Sequence, residues 1–149
     1  MSDNSKFLSI DIQLWVFNTI KWVENGVTWR DAWQKSYFSL GGESKESAKK
    51  SCPMNGTKTL YLLGRIKGSN KPYRDVPIRE IWEEYSKNGA YAILSLEILR
   101  ESSNISIDEL WSKVQERIRK ELGEEPAKYN QGGPTIAYKL WHQGLIINP

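Results

Sequence analysis

Apolar and polar positions alternate along the chain in helix-length blocks, with glycines, prolines and serines between them. In "LSIDIQLWVFNTIKWVENG", Leu8, Ile12, Trp15, Thr19 and Trp22 recur at helical spacing, and Val16, Ile20 and Val23 widen the stripe. Gly26 supplies a C-terminal stop. "TWRDAW" opens a second helix, with Thr28 placed to cap through the Asp31 amide and Trp29, Ala32, Trp33 and Tyr37 facing inward. That helix is expected to run to about Phe38 and to stop at Gly41-Gly42. "ESKESAKKS" is polar and reads equally as a short helix or a loop.

"CPMNGTKTLYLLG" reads as a helix with Pro53 at its first position, Leu60 and Leu63 on its apolar side, and Gly64 at its end. "SNKPYRDVP" is loop in character. Pro77 opens a short helix through Ile78, Ile81, Trp82 and Tyr85, and Ser86 is placed to cap the next one, with Tyr91, Leu94 and Ile98 on its stripe. Ser106 and Glu109 form a capping box ahead of Leu110, Trp111, Val114, Ile118 and Leu122, and Gly123 ends that helix. Pro134 opens a last helix that leads into Leu145, Ile146 and Ile147. Strand signals are nearly absent. The pattern predicts an all-α bundle of about seven short helices with a short hairpin near residues 65–75. One domain over residues 1–149 is expected, a division into 1–102 and 103–149 being the alternative.

Two segments echo each other. "PMNGTKTLYLLGRI" and "GGPTIAYKLWHQGLI" each read as a helix, a glycine and an apolar exit, with Leu60 matching Leu140 and Gly64 matching Gly144. They are either two equivalent units or two ordinary helix ends.

Composition narrows the chemistry. Seven Trp and seven Tyr against three Phe give many large rings with a polar edge, suited to a hydrogen-bonded core or to a binding surface. A single cysteine, Cys52, cannot form an internal disulfide and fits a reducing compartment. One Cys and one His cannot build a zinc cage, so no metal and no cofactor is expected. Neither a signal peptide nor a membrane-spanning run is visible, so the expected location is the cytoplasm and no membrane partner is expected.

Net charge is +3, but residues 41–74 hold eight basic side chains against Glu43 and Glu46. This local excess surrounds "AKKSCPMNG". Free amides at the helix start, Asn55 and Lys49, Lys50 and Lys58 together suit a phosphate or other anion, the alternative being a solvated lysine-rich turn. Arg65, Lys67, Lys71 and Arg74 continue the basic stretch, with Arg79 just beyond it and the Tyr61 and Tyr73 rings interleaved, as in surfaces that hold nucleic acid. The "LWHQGLI" tail also has the look of a helix-turn-helix exit.

Cys52 has two readings. At a helix N-cap beside Lys49 and Lys50 it would be favoured as thiolate, which a nucleophile or redox centre needs. A nucleophile also needs a base, and the sole histidine, His142, lies on the last helix. The plainer reading is a capping cysteine with no chemistry. Asn88 and Ser86 read as caps, and the Glu83–Glu84 and Glu124–Glu125 pairs as solvated charge.

The elements Lys49-Lys50-x-Cys52-Pro53, Ile66-Lys67-Gly68 and Ser86-Lys87-Asn88-x-x-Tyr91-Ala92 together resemble those of a functionally uncharacterised family of small bacterial proteins. "GVTWRDAWQKS" and the tail carrying Asn130, Gln131, Leu140, Trp141 and Gly144 are similar to it as well. The resemblance implies a unit spanning about three-quarters of the chain and carries no activity with it. Three functional classes follow: a non-enzymatic domain binding nucleic acid or another polyanion through residues 45–74, a protein-interaction or self-association module, and a Cys52-dependent enzyme or redox protein.

Overall fold

The computed structural model describes residues 5–147. Within them a two-stranded hairpin, β1 (Lys6–Phe7) and β2 (Ile10–Asp11), leads into α1 (Ile12–Glu24) and α2 (Trp29–Ser39). Next come α3 (Lys45–Lys49) and α4 (Ser51–Leu62), then α5 (Ile78–Glu80), which continues as a π-helical turn over Ile81–Tyr85. The last three are α6 (Lys87–Glu101), α7 (Ile107–Leu122) and α8 (Gly133–His142). The mostly helical class is as the pattern predicts, and the lysine-rich stretch before Cys52 folds as the short helix α3.

The hairpin sits at residues 6–11 rather than 65–75. Lys6 pairs with Asp11 and Phe7 with Ile10, across a turn in which Leu8 and Ser9 both take positive φ (51° and 69°). Leu8 therefore leaves the helix assigned to it. Asp11 starts α1 instead, its carboxylate accepting from Leu14 N at 3.0 Å. The segment 65–75 is irregular apart from Ile66.

Caps at α2, α6 and α7 follow the sequence: Thr28, Ser86 and Ser106 accept from Asp31 N, Gly89 N and Glu109 N. Helix α4 differs. Its N-cap is Lys50, whose side chain makes no capping bond, so Cys52 and Pro53 lie inside the first turn. Pro53 is still tolerated there, because the first four amides of a helix have no intrahelical acceptor.

Helix α6 is buried on nearly every side from Gly89 to Leu99, which explains its weak amphipathic pattern. It packs on α4 and α8 through small residues. A Cβ added at Gly89 would overlap the Thr59 side chain, and one at Gly133 would come 3.1 Å from the Asn88 carbonyl oxygen. Between α1, α2 and α4 the aromatic residues form the expected tryptophan-rich core. Trp15 and Trp33 lie 4.4 Å apart between ring centres, and Trp29 and Tyr61 5.2 Å. Two of the polar edges are used, Trp15 Nε1 donating to Trp33 O and Trp29 Nε1 to Met54 O, each at 3.0 Å, while the buried Trp33 Nε1 has no partner. Such bonds contribute about 1 kcal/mol apiece.

The echoed segments are parallel neighbours. Where they start, Gly56 faces Gly133, whose Cα lies 3.2 Å from the point a Cβ on Gly56 would occupy. Where they end, both close with the same pair of bonds, Gly64 N to Tyr61 O and Arg65 N to Leu60 O in α4, Gly144 N to Trp141 O and Leu145 N to Leu140 O in α8. Gly64 and Gly144 take φ of 69° and 72°, the left-handed residue such an ending requires. The two exits then meet in one antiparallel bridge, Ile66 against Ile146, with Lys67 N donating to Leu145 O and Ile147 N to Arg65 O at 2.8 Å. Each helix thus has its counterpart across a local pseudo-twofold axis.

Candidate functional site

Helices α4, α6 and α8 all begin at one end of the bundle. Asn88, in the first turn of α6, presents its carbonyl oxygen to both Gly56 and Gly133. Cys52 is beside them: its Sγ donates to Gln131 Oε1 at 3.0 Å, joining segments 79 residues apart. Tyr91 lies one turn further along α6, and its hydroxyl accepts from Ala127 N at 2.9 Å. The three elements singled out in the sequence, around Cys52, Asn88 and Gln131, therefore meet in space.

This arrangement separates Cys52 from His142. Gln131 lies just before α8, whereas His142 closes that ten-residue helix, about 15 Å further on at 1.5 Å per residue. The His142 ring packs on Tyr138 at 4.4 Å. The structure does not bring the two together, and Cys52 spends its thiol proton on an amide oxygen.

Helix α4 also divides the basic region. Ser51, Asn55, Lys58 and Leu62, at i, i+4, i+7 and i+11, form its solvent-facing side. Lys49 and Lys50 stand exposed at the start of that side. Lys71 flanks it next to α2, its Nζ 5.6 Å from the centre of the Tyr61 ring. Arg74 flanks it next to the π-helical turn, donating from Nη1 to the Tyr85 hydroxyl at 3.1 Å. The exposed side of α4 is about 18 Å long, the length of a twelve-residue helix. Among the described residues none of the eight cations in 41–74 is in an ion pair; the pairs fall on Arg79–Glu83, Arg117 with Glu97 and Glu121, and Arg119–Glu125.

Arg65 and Lys67 fall elsewhere. Lys67 is exposed past the C-terminal end of α4, next to Leu145. Arg65 is only 8 % exposed and stacks on Tyr73, its Cζ 4.5 Å from the ring centre. It lines a partly open pocket of about 200 Å³ together with the exposed Arg100, Asp75 and Glu97. Sequence reading missed Arg100 and Asp75 as neighbours of Arg65, and no spacing in the chain signals them. In the sequence Gln131 stands out only as part of the tail, whereas the Cys52 contact makes it the link between the two helix starts.

A protein-family model described as a family of unknown function, DUF6979, matches residues 15–147. No curated protein and no solved structure matches the chain.

Proposed function

Since the chain belongs to DUF6979, a family of unknown function, its own surface has to supply the reading, and we propose a non-enzymatic binding domain that holds a polyanion along the exposed side of α4. Nucleic acid is the class that fits best. The observation that carries this reading is that Lys49, Lys50 and Lys58 on the exposed side of α4, and Lys71 and Arg74 beside it, have no acid partner among the described residues. At about 3.4 Å per phosphate along one strand, that side covers roughly five phosphates. The first-turn amides of α4 lie at one end of it and add a partial positive charge there. Catalysis by Cys52 has less support, because the partner of its Sγ is the Gln131 side chain rather than a base.

Fluorescence anisotropy with labelled single-stranded and duplex oligonucleotides, at about 50 and 200 mM salt, tests this. Binding is expected to weaken steeply with salt. The double variant Lys58→Gln/Lys71→Gln is expected to lower the slope of log K against log salt by about 1.4 on single strands, near 0.7 for each lost phosphate contact. Binding that ignores salt, or that survives the double variant with an unchanged slope, rules the proposal out. So does an absence of binding at tens of micromolar protein.

A further inference from the structure

The loop between α7 and α8 carries an aromatic ring past the basic start of α4. Tyr129 is 69 % exposed, the most exposed large apolar side chain among the described residues. A ring left in water adds little to folding, because its apolar area gains nothing from burial. Its chain neighbours, by contrast, are tied down. Ala127 N donates to the Tyr91 hydroxyl at 2.9 Å, and Gln115 Nε2 donates to the Ala127 and Lys128 carbonyls at 3.0 and 3.3 Å. Beyond the ring, Asn130 Nδ2 donates to Thr135 Oγ1 at 3.0 Å and Asn130 Oδ1 accepts from Gly132 N at 2.9 Å. Tyr129 is thus held out from a backbone fixed on both sides, which lowers the ordering cost of a ligand closing on it.

Two contacts set this loop against the first turn of α4. Cys52 Sγ donates to Gln131 Oε1 at 3.0 Å, and a Cβ added at Gly132 would come 3.1 Å from Pro53 Cβ. Tyr129 is two positions before Gln131, and Lys50 two positions before Cys52. Charge is one-sided here. Lys45, Lys49 and Lys50 stand against Glu46 ahead of Cys52, and Lys128 is the sole charged residue from 126 to 132. The acids of the loop lie at its α7 end, where Glu124 is exposed and Glu125 is held by Arg119 at 2.9 Å. Lys128 Nζ stands 5.5 Å from the centre of the Tyr129 ring, so cation and ring are presented together.

We infer that the polyanion is a single strand, one unpaired base stacking on the Tyr129 ring while the phosphates beside it lie on Lys128, Lys49 and Lys50. This rests on the reading of α4 as a polyanion surface. A duplex keeps its bases stacked on one another, so it offers phosphates to these lysines but no base face to the ring. In an unpaired strand every base has a free π-face, whatever its identity. The ring therefore selects for strand state and not for sequence.

The test is fluorescence anisotropy of the full chain with three labelled ligands: an oligothymidylate of about ten nucleotides, the matched duplex, and a strand of equal length lacking its bases. Tyr129→Ala is expected to weaken the thymidylate strand about fivefold to a hundredfold, the worth of one stacked base, and to leave the other two ligands within about twofold. Its salt slope should match that of the unaltered chain, since a stacked base releases no counterion. Tyr129→Phe keeps the ring and should bind as the unaltered chain does. Lys58→Gln/Lys71→Gln should lower the slope yet keep the preference for the base-bearing strand, so the two readings fail separately. Unchanged affinity in Tyr129→Ala, an equal loss on the duplex or the base-free strand, or as large a loss in Tyr129→Phe overturns the inference and leaves the polyanion surface standing. No thymidylate binding at all overturns it too.

Discussion

The ring of Tyr91 meets Trp82 and Trp111 edge-on, at 5.8 and 5.1 Å between centres, while its hydroxyl takes the Ala127 amide proton. Burial raises its pKa above the usual tyrosine value near 10; the Ala127 amide opposes that rise and the nearby Cys52 adds to it. Tyr61 is raised as well, by burial first and then by the Glu24 carboxylate. The sign follows from linkage: the folded chain holds these protons more tightly than the unfolded one. Their contribution is complete below pH 10 and is lost as pH climbs through the raised folded-state values. Urea midpoints measured from pH 8 to 11.5 should therefore fall above about pH 10, and Tyr61→Phe should flatten the fall. An equally steep fall in Tyr61→Phe/Tyr91→Phe would sink this assignment. At this scale the sequence was informative about caps, since Ser86 followed by a helical stripe leaves few other uses for its hydroxyl. It misplaced Cys52, because Lys50 starts α4 from backbone geometry alone, with no capping side chain to mark the position.

Helices α4 and α8 offer an internal control, because their endings share one backbone conformation and differ in surroundings. A Cβ on Gly144 meets nothing within 4 Å, whereas one on Gly64 would overlap the Pro72 carbonyl. Gly144→Ala should then cost only the left-handed backbone penalty, about 1–2 kcal/mol. Gly64→Ala adds overpacking against backbone that cannot rotate away, for a total of about 3 kcal/mol or more. Chemical denaturation of both variants checks the ordering, and equal losses would refute it. The echo between these helices was readable as residues, but its meaning needed coordinates, since the same glycine-and-apolar ending serves helices that never touch. The hairpin at 6–11 was unreadable for another reason. Leu8 and Ser9 occupy positive φ without the Gly or Asn that advertises such a turn.

Over the whole molecule, the linear density of charge does not carry over into one grouping in space. Eight cations in 34 residues suggested one patch. The length of α4 instead carries Arg65 through the bundle to a cavity beside α6, leaving the others outside. What places Arg65 there is the Ile66–Ile146 bridge, a pairing 80 positions apart that no local pattern encodes. The same arrangement sets a timetable for synthesis. Helix α8 leaves the ribosome after α4 and α6, yet it covers Gly56 of the first and the Asn88 turn of the second. Until it emerges, the central helix has an open flank, and long-range contacts of this kind come at a cost in loop closure that only the finished helix offsets. A chain halted at residue 130 should melt without a cooperative transition and be cut rapidly within α6, while the full chain resists; a cooperative melt of the halted chain would show that the earlier helices fold alone. The flank of α4 and α6 that α8 covers is thus the last part of this packing that synthesis can complete.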